Sequence, residues 1–190
     1  MVTLDDFLAG LAARTPAPGG GGAAAVTGAM AAGLVAMAAR FSVARLPGAL
    51  DLAEQADELR RRAADLAQAD AVAYTAVLDA RRQGGDLRAA LRGAVVVPLE
   101  IAEIGARVAQ MAARVASAGN PNLRGDAVTG ALLAAASARS AAYLVDINVT
   151  WGELEPDLSR RAAQAAAEAG DAAERATTGS MNPERAGPEP

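Results

Sequence analysis

No cysteine, histidine or lysine occurs anywhere in the 190 residues, and each absence removes a mechanism. Without Cys there is no disulfide framework, thiolate nucleophile or Cys-based zinc site. Without His there is no Ser-His-Asp triad and no imidazole proton shuttle. Without Lys neither a Schiff base nor a Walker lysine is available. What remains is carboxylates, Tyr74 and Tyr143, amides, hydroxyls, arginine and backbone dipoles, so acid–base chemistry falls to carboxylates. Aromatic residues are also scarce, at 3%, while alanine exceeds a quarter of the chain. That composition favours helix and argues against a large sheet. The expectation is an all-α, single-domain bundle of about six closely spaced helices, two of them long and central.

The formal charge of −4 leaves no global basic field, so nucleic acid is not an expected partner. Arginine clusters at Arg60 to Arg62 and at Arg81 with Arg82 read either as solvated helix faces or as docking points for an anionic group. From Ala23 to Ala39 the chain is uncharged. That run is shorter than the ~20 residues of a usual membrane span and is built largely of Ala and Gly. Acidic Asp5 and Asp6 precede it, not a basic segment. A buried central helix is therefore expected, in a cytoplasmic protein with no membrane association.

Punctuation by Gly and Pro divides the rest of the chain. Thr3 with Asp6 marks a helix start, and Leu4, Phe7, Leu8 and Leu11 predict a short amphipathic helix ending near Arg14. Thr15 to Gly22 is a Pro/Gly loop before a helix over about Gly22 to Ser42. Gly28 and Gly33 within that helix call for close packing by a neighbour. A break at Leu46, Pro47 and Gly48 precedes a long helix from about Asp51 to Arg82, ended by Gly84 and Gly85. Another runs from Asp86 to Ala118; Pro98 within it should bend the helix and free the carbonyl of Ala94. Gly119 to Asn122 form a turn. A fifth helix is predicted from near Asp126 to Val149 and a sixth from Pro156 to Thr177. The helical domain thus spans residues 1–177, and residues 178–190, poor in apolar side chains, are expected to be a disordered tail.

Asp70 breaks a pattern. Along the long helix Leu52, Ala56, Leu59, Ala63 and Leu66, then Ala73, Val77 and Ala80, recur in steps of three and four, the spacing of a buried seam. The member missing from that seam is residue 70. A carboxylate there is costly to desolvate unless something pairs with it. It reads as a polar register-setting residue, as a salt-bridge partner of an Arg on a neighbouring helix, or as a functional acid. Tyr74 shares its face one turn on. Gly19 to Gly22 offer backbone N–H groups to an anion or polar heterocycle, or simply a tight turn. Asp126 suits a first-turn acid, and Asn148, late in an apolar helix, needs partners.

Five segments in order carry a family resemblance: FLAGLAARTPAPGGGGAAAVTGAM at Phe7 to Met30, ADAVAYTAVLDARR at Ala69 to Arg82, AVVVPLEIAE at Ala94 to Glu103, GNPNLRGDA at Gly119 to Ala127 and AAYLVDINV at Ala141 to Val149. The set resembles the cyclodeaminase/cyclohydrolase family, known as the C-terminal domain of formiminotransferase-cyclodeaminase and as stand-alone methenyltetrahydrofolate cyclohydrolase. The resemblance implies an all-helical homodimer acting on a tetrahydrofolate derivative without a metal. Its two reactions are cyclodeamination of 5-formiminotetrahydrofolate and hydration of 5,10-methenyltetrahydrofolate to 10-formyltetrahydrofolate. It makes Asp70 the catalytic residue. Substrate contacts are expected from Pro18, Gly19, Gly20 and Gly21, from Tyr74, Arg82, Asn120 and Arg124, and from Asp126 and Asn148. Some positions depart from the family pattern. Gly22 stands where the family has Ser, Gly125 precedes Asp126 in place of Ser, Leu144 replaces an Asn, and Arg82 to Gly85 replace an Arg-Leu-Pro-Lys stretch. Two further readings stay open: a related enzyme using another small molecule, and a non-catalytic helical dimer that binds a ligand or partner.

Overall fold

The computed structural model describes residues 3–178. They form six α-helices: α1 (Leu4–Ala12), α2 (Gly20–Arg40), α3 (Ala49–Gln83), α4 (Leu87–Ala118), α5 (Arg124–Gly152) and α6 (Pro156–Thr178). A short 3-10 turn at Pro121–Leu123 joins α4 to α5. The all-α bundle expected from composition is therefore the fold observed. Thr178 closes α6; the remainder of the expected tail lies outside the described residues.

Local chemistry sets the helix ends. Thr3 and Asp6 form a reciprocal capping box at the start of α1. Asp86 caps α4 by accepting the Ala89 N–H at 2.9 Å. Gly84 ends α3 at φ 69°, a left-handed conformation that glycine adopts without steric penalty. α2 starts at Gly20, two residues before the predicted Gly22, because its cap comes from elsewhere in the fold. Its N-cap Gly19 has no side chain, and Asp70 of α3 takes that role.

Packing follows the seam predicted for α3: Leu52, Ala56, Leu59, Ala63, Leu66 and Val77 are buried, and Ala73 and Ala80 are half-buried. On α4, Leu91, Ala94, Ile101, Gly105, Val108, Ala112 and Val115 are buried. α2 packs on α3, α4 and α5, and α4 also meets α3, α5 and α6. Contacts at Gly20–Leu144, Gly28–Ser137 and Gly130–Ala31 make α2 and α5 antiparallel neighbours. A Cβ at Gly28 would approach Ser137 Oγ to 2.9 Å, and that hydroxyl donates to the Ala24 carbonyl at 2.8 Å. Gly20–Arg40 and Pro121–Gly152 are long and apolar enough to cross a membrane, yet α2 and α5 each pack against three other helices of the bundle. Arg60 pairs with Asp57, and Arg62 makes two hydrogen bonds to Glu100 at 2.6 and 2.7 Å. Two members of that arginine triple are thus engaged in surface ion pairs.

Candidate active site

Pro98 is buried in the middle of α4 and cannot donate to the carbonyl four residues earlier. Asn148 of α5 supplies the missing donor: its Nδ2 donates to the Ala94 carbonyl at 3.0 Å. This bond ties α5 to the proline site of α4. Asn148 Oδ1 accepts no hydrogen bond from the described residues and is not buried without a partner. Beside these residues opens a cavity of about 310 Å³. Gly19, Gly20 and Gly21 form one wall, Asp70, Ala73 and Tyr74 another, and Ala94 and Pro98 a third. Leu144, Ile147, Asn148 and Trp151 of α5 complete it.

Asp70 is the only ionisable carboxylate in that lining. Its Oδ2 accepts the Gly22 N–H at 3.0 Å, the bond an N-cap side chain makes to the third residue of a helix. A Cβ on Gly21 would overlap the Asp70 carboxyl group, so only glycine lets the acid lie this close to the start of α2. No guanidinium pairs with Asp70 among the described residues. Burial raises its pKa above the usual carboxylate value, and the Gly22 N–H offsets part of that rise. The site therefore presents an acid destabilised in its ionised form, with helix amides on one side and a hollow on the other. A cation entering that hollow would supply the missing counter-charge. Among the described residues no three acidic side chains converge as a metal site would need.

The remaining expected contacts divide by position. Gly19 to Gly21, Tyr74 and Asn148 line the cavity with Asp70. Pro18 stands behind the glycine wall, packed near Gly10 and Gly22, and does not line the cavity. Arg82 is exposed on α3, next to the face that carries Asp70 but off it. Asn120, Arg124 and Asp126 lie at the opposite end of α5. With a rise of 1.5 Å per residue, Asp126 and Asn148 are about 33 Å apart. Asn120 braces the turn there: its N–H donates to Ser42 Oγ at 2.8 Å and its Oδ1 accepts the Asn122 N–H at 3.0 Å. Arg124 donates to the carbonyls of Ala116 at 2.7 Å and Ala176 at 2.8 Å, joining the ends of α4 and α6. Asn120, Arg124 and Asp126 fall outside the hollow because the length of α5 separates them from Asn148. Trp151, absent from the expectations, lines the cavity instead. The available signal was its spacing, three residues beyond Asn148 on the same face of α5.

The model of the formiminotransferase-cyclodeaminase family matches residues 3–168. The chain belongs to that family. A formiminotransferase-cyclodeaminase relative, the methenyltetrahydrofolate cyclohydrolase of Methylorubrum extorquens, is 35% identical over 163 residues, covering 77% of this chain and 78% of its own. The crystal structure of formiminotetrahydrofolate cyclodeaminase from Thermotoga maritima superposes with a TM-score of 0.81. It is 28% identical and covers 92% of this chain and 93% of its own.

Proposed function

We propose that this chain is a folate one-carbon enzyme that hydrates 5,10-methenyltetrahydrofolate to 10-formyltetrahydrofolate, closes 5-formiminotetrahydrofolate with loss of ammonia, or does both. The observation that carries this reading is the unpaired Asp70 carboxylate on the wall of a cavity, held by the Gly22 N–H. The substrates named for the two relatives are one-carbon folates, and the methenyl form is a cationic amidinium. An ionised Asp70 would attract that cation, and the cation in turn would favour the ionised acid.

In the hydration, the oxygen of a water bonds to the methenyl carbon while Asp70 takes one proton from it. The carbon–N5 bond of the adduct then breaks, N5 gains a proton, and the formyl group stays on N10. One proton is released overall. Asp70 acts first as base and then as acid, returning the proton at N5. In the cyclodeamination N10 bonds to the formimino carbon and gives up its proton, and the bond from that carbon to the terminal amine breaks as the same carboxyl protonates the departing amine. The unpartnered Oδ1 of Asn148 and the N–H groups of the glycine wall fit the polar edge of a pterin.

Replacing Asp70 with Asn tests the assignment. Loss of methenyl absorbance should slow by the 10²–10⁴-fold typical of a general acid–base residue, that is about 10³-fold, with helicity by circular dichroism unchanged. Retained turnover would reject the role of Asp70. Leu144, which lines the cavity where the family pattern has Asn, favours a second reading, a related enzyme using a different cationic small molecule. Absence of turnover of both methenyltetrahydrofolate and 5-formiminotetrahydrofolate by the unaltered protein would select it.

We further propose a homodimer. α2 carries no charge before Arg40, yet Met30 on α2 and Leu132 on the neighbouring α5 are each 51% exposed at the same level of the pair. An all-round apolar helix is normally covered on every side, and a second copy would cover this one.

A further inference from the structure

Trp151 is the single tryptophan of the chain and lines the cavity from the last turn of α5. It is nevertheless 59% exposed, so it forms rim rather than floor. The Arg81 guanidinium carbon stands 5.3 Å from the centre of its ring, within the range of a cation–π contact. Arg62, Arg92 and Arg161 each pair with a glutamate, whereas Arg81 makes no ion pair among the described residues. Its hydrogen-bonding edge is therefore not committed to a carboxylate among the described residues.

Arg81 also lies on the right face. Residues 70, 74, 77 and 81 follow one another in steps of four, three and four, which keeps Asp70, Tyr74 and Arg81 on one side of α3. Asp70 and Arg81 are separated by about 16 Å along the axis, and a long side chain that leans toward the helix start narrows the gap. A cavity of 310 Å³ is at the small end of ligand sites, which span about 300–1,000 Å³. On the folate reading proposed above, it seats the bicyclic ring and the one-carbon bridge. The benzoyl-glutamate tail must continue past the rim.

We propose that Trp151 and Arg81 form an outer subsite for that tail, the indole stacking on the benzoyl ring and the guanidinium pairing with a glutamate carboxylate. Stacking against indole is favourable in offset or edge-on geometry, and the planar guanidinium fork matches a carboxylate in a bidentate pair. Arg81 thereby supplies, one residue earlier than the resemblance suggests, the cation that the anionic end of the substrate needs.

The lone tryptophan makes the subsite directly readable. Tetrahydrofolate should quench the fluorescence of the unaltered protein, and a tail-less tetrahydropterin should bind with less quenching. Arg81→Gln should weaken tetrahydrofolate binding about tenfold and leave tetrahydropterin binding unchanged. With methenyltetrahydrofolate the same variant should raise KM about tenfold and hold kcat within about twofold, the mark of lost uniform binding. Arg81→Lys should recover part of the affinity. Equal weakening of both ligands would mean that Arg81 only braces Trp151, and no weakening of either would mean that it contacts nothing; each result overturns the subsite while folate turnover stands. Failure of the unaltered protein to bind tetrahydrofolate would overturn the folate reading and the subsite together.

Discussion

Two opposed influences act on the Asp70 carboxylate. Burial disfavours its charge and the Gly22 N–H favours it, and burial is the larger, so the pKa rises. A carboxyl that binds its proton more tightly when folded stabilises the protein fully below the pKa of the unfolded chain. That contribution is lost as pH rises through the folded pKa. Asp70→Asn, which mimics the neutral acid, should therefore melt above the unaltered protein at pH 7. The difference should shrink on acidification; a difference constant with pH would refute the linkage. The same shift places the acid limb of kcat/KM above the ordinary carboxylate pKa. The limb of kcat should lie lower, because bound cationic substrate favours the ionised form. Site and stability are thus opposed in one residue: the charge that suits the chemistry weakens the fold.

The decisive element is α4 with its internal proline. Pro98 removes a donor, Asn148 replaces it, and the two helices meet beside the cavity through a single hydrogen bond of 3.0 Å. Asn148→Leu would leave the buried Ala94 carbonyl without its partner, at a cost of about 1–3 kcal/mol. Pro98→Ala restores an N–H four residues from that carbonyl and should make the Asn148→Leu substitution markedly less costly. A double-mutant cycle by urea unfolding measures the coupling. Additive effects would show that Asn148 does not serve the carbonyl freed by proline. The start of α2 likewise depends on a contact from another helix. A helix that begins with three glycines has weak intrinsic propensity, and its first turn is held by a carboxylate borrowed from α3.

For the molecule as a whole, the exposed apolar stripe along α2 and α5 leads to an assembly prediction. Sedimentation should report twice the 19.0 kDa mass of one chain. Met30→Glu with Leu132→Glu should yield monomers, since charges buried without partners are strongly unfavourable at an interface. A doubly substituted protein that still sediments as a dimer would place the interface elsewhere. The bundle also separates two ends. One holds Asp70, Tyr74, Asn148 and Trp151 around the cavity, and the other holds Asn120, Arg124 and Asp126 in a braced turn.

The number and type of the helices, most of their limits and the seam of α3 follow from sequence alone, because helix periodicity and Gly/Pro punctuation are local properties. The displaced acid at position 70 and the carbonyl freed by Pro98 are legible for the same reason. Which groups answer them is not. Gly22 meets Asp70 across 48 residues and Asn148 meets Ala94 across 54, distances over which spacing fixes a face but not the helix that faces it. Trp151 and Arg81 come together in the same way, whereas Asn120, Arg124 and Asp126 are held away by the rigid length of α5. Tertiary packing alone decides these matters, since only the closing of the bundle sets which faces share a hollow.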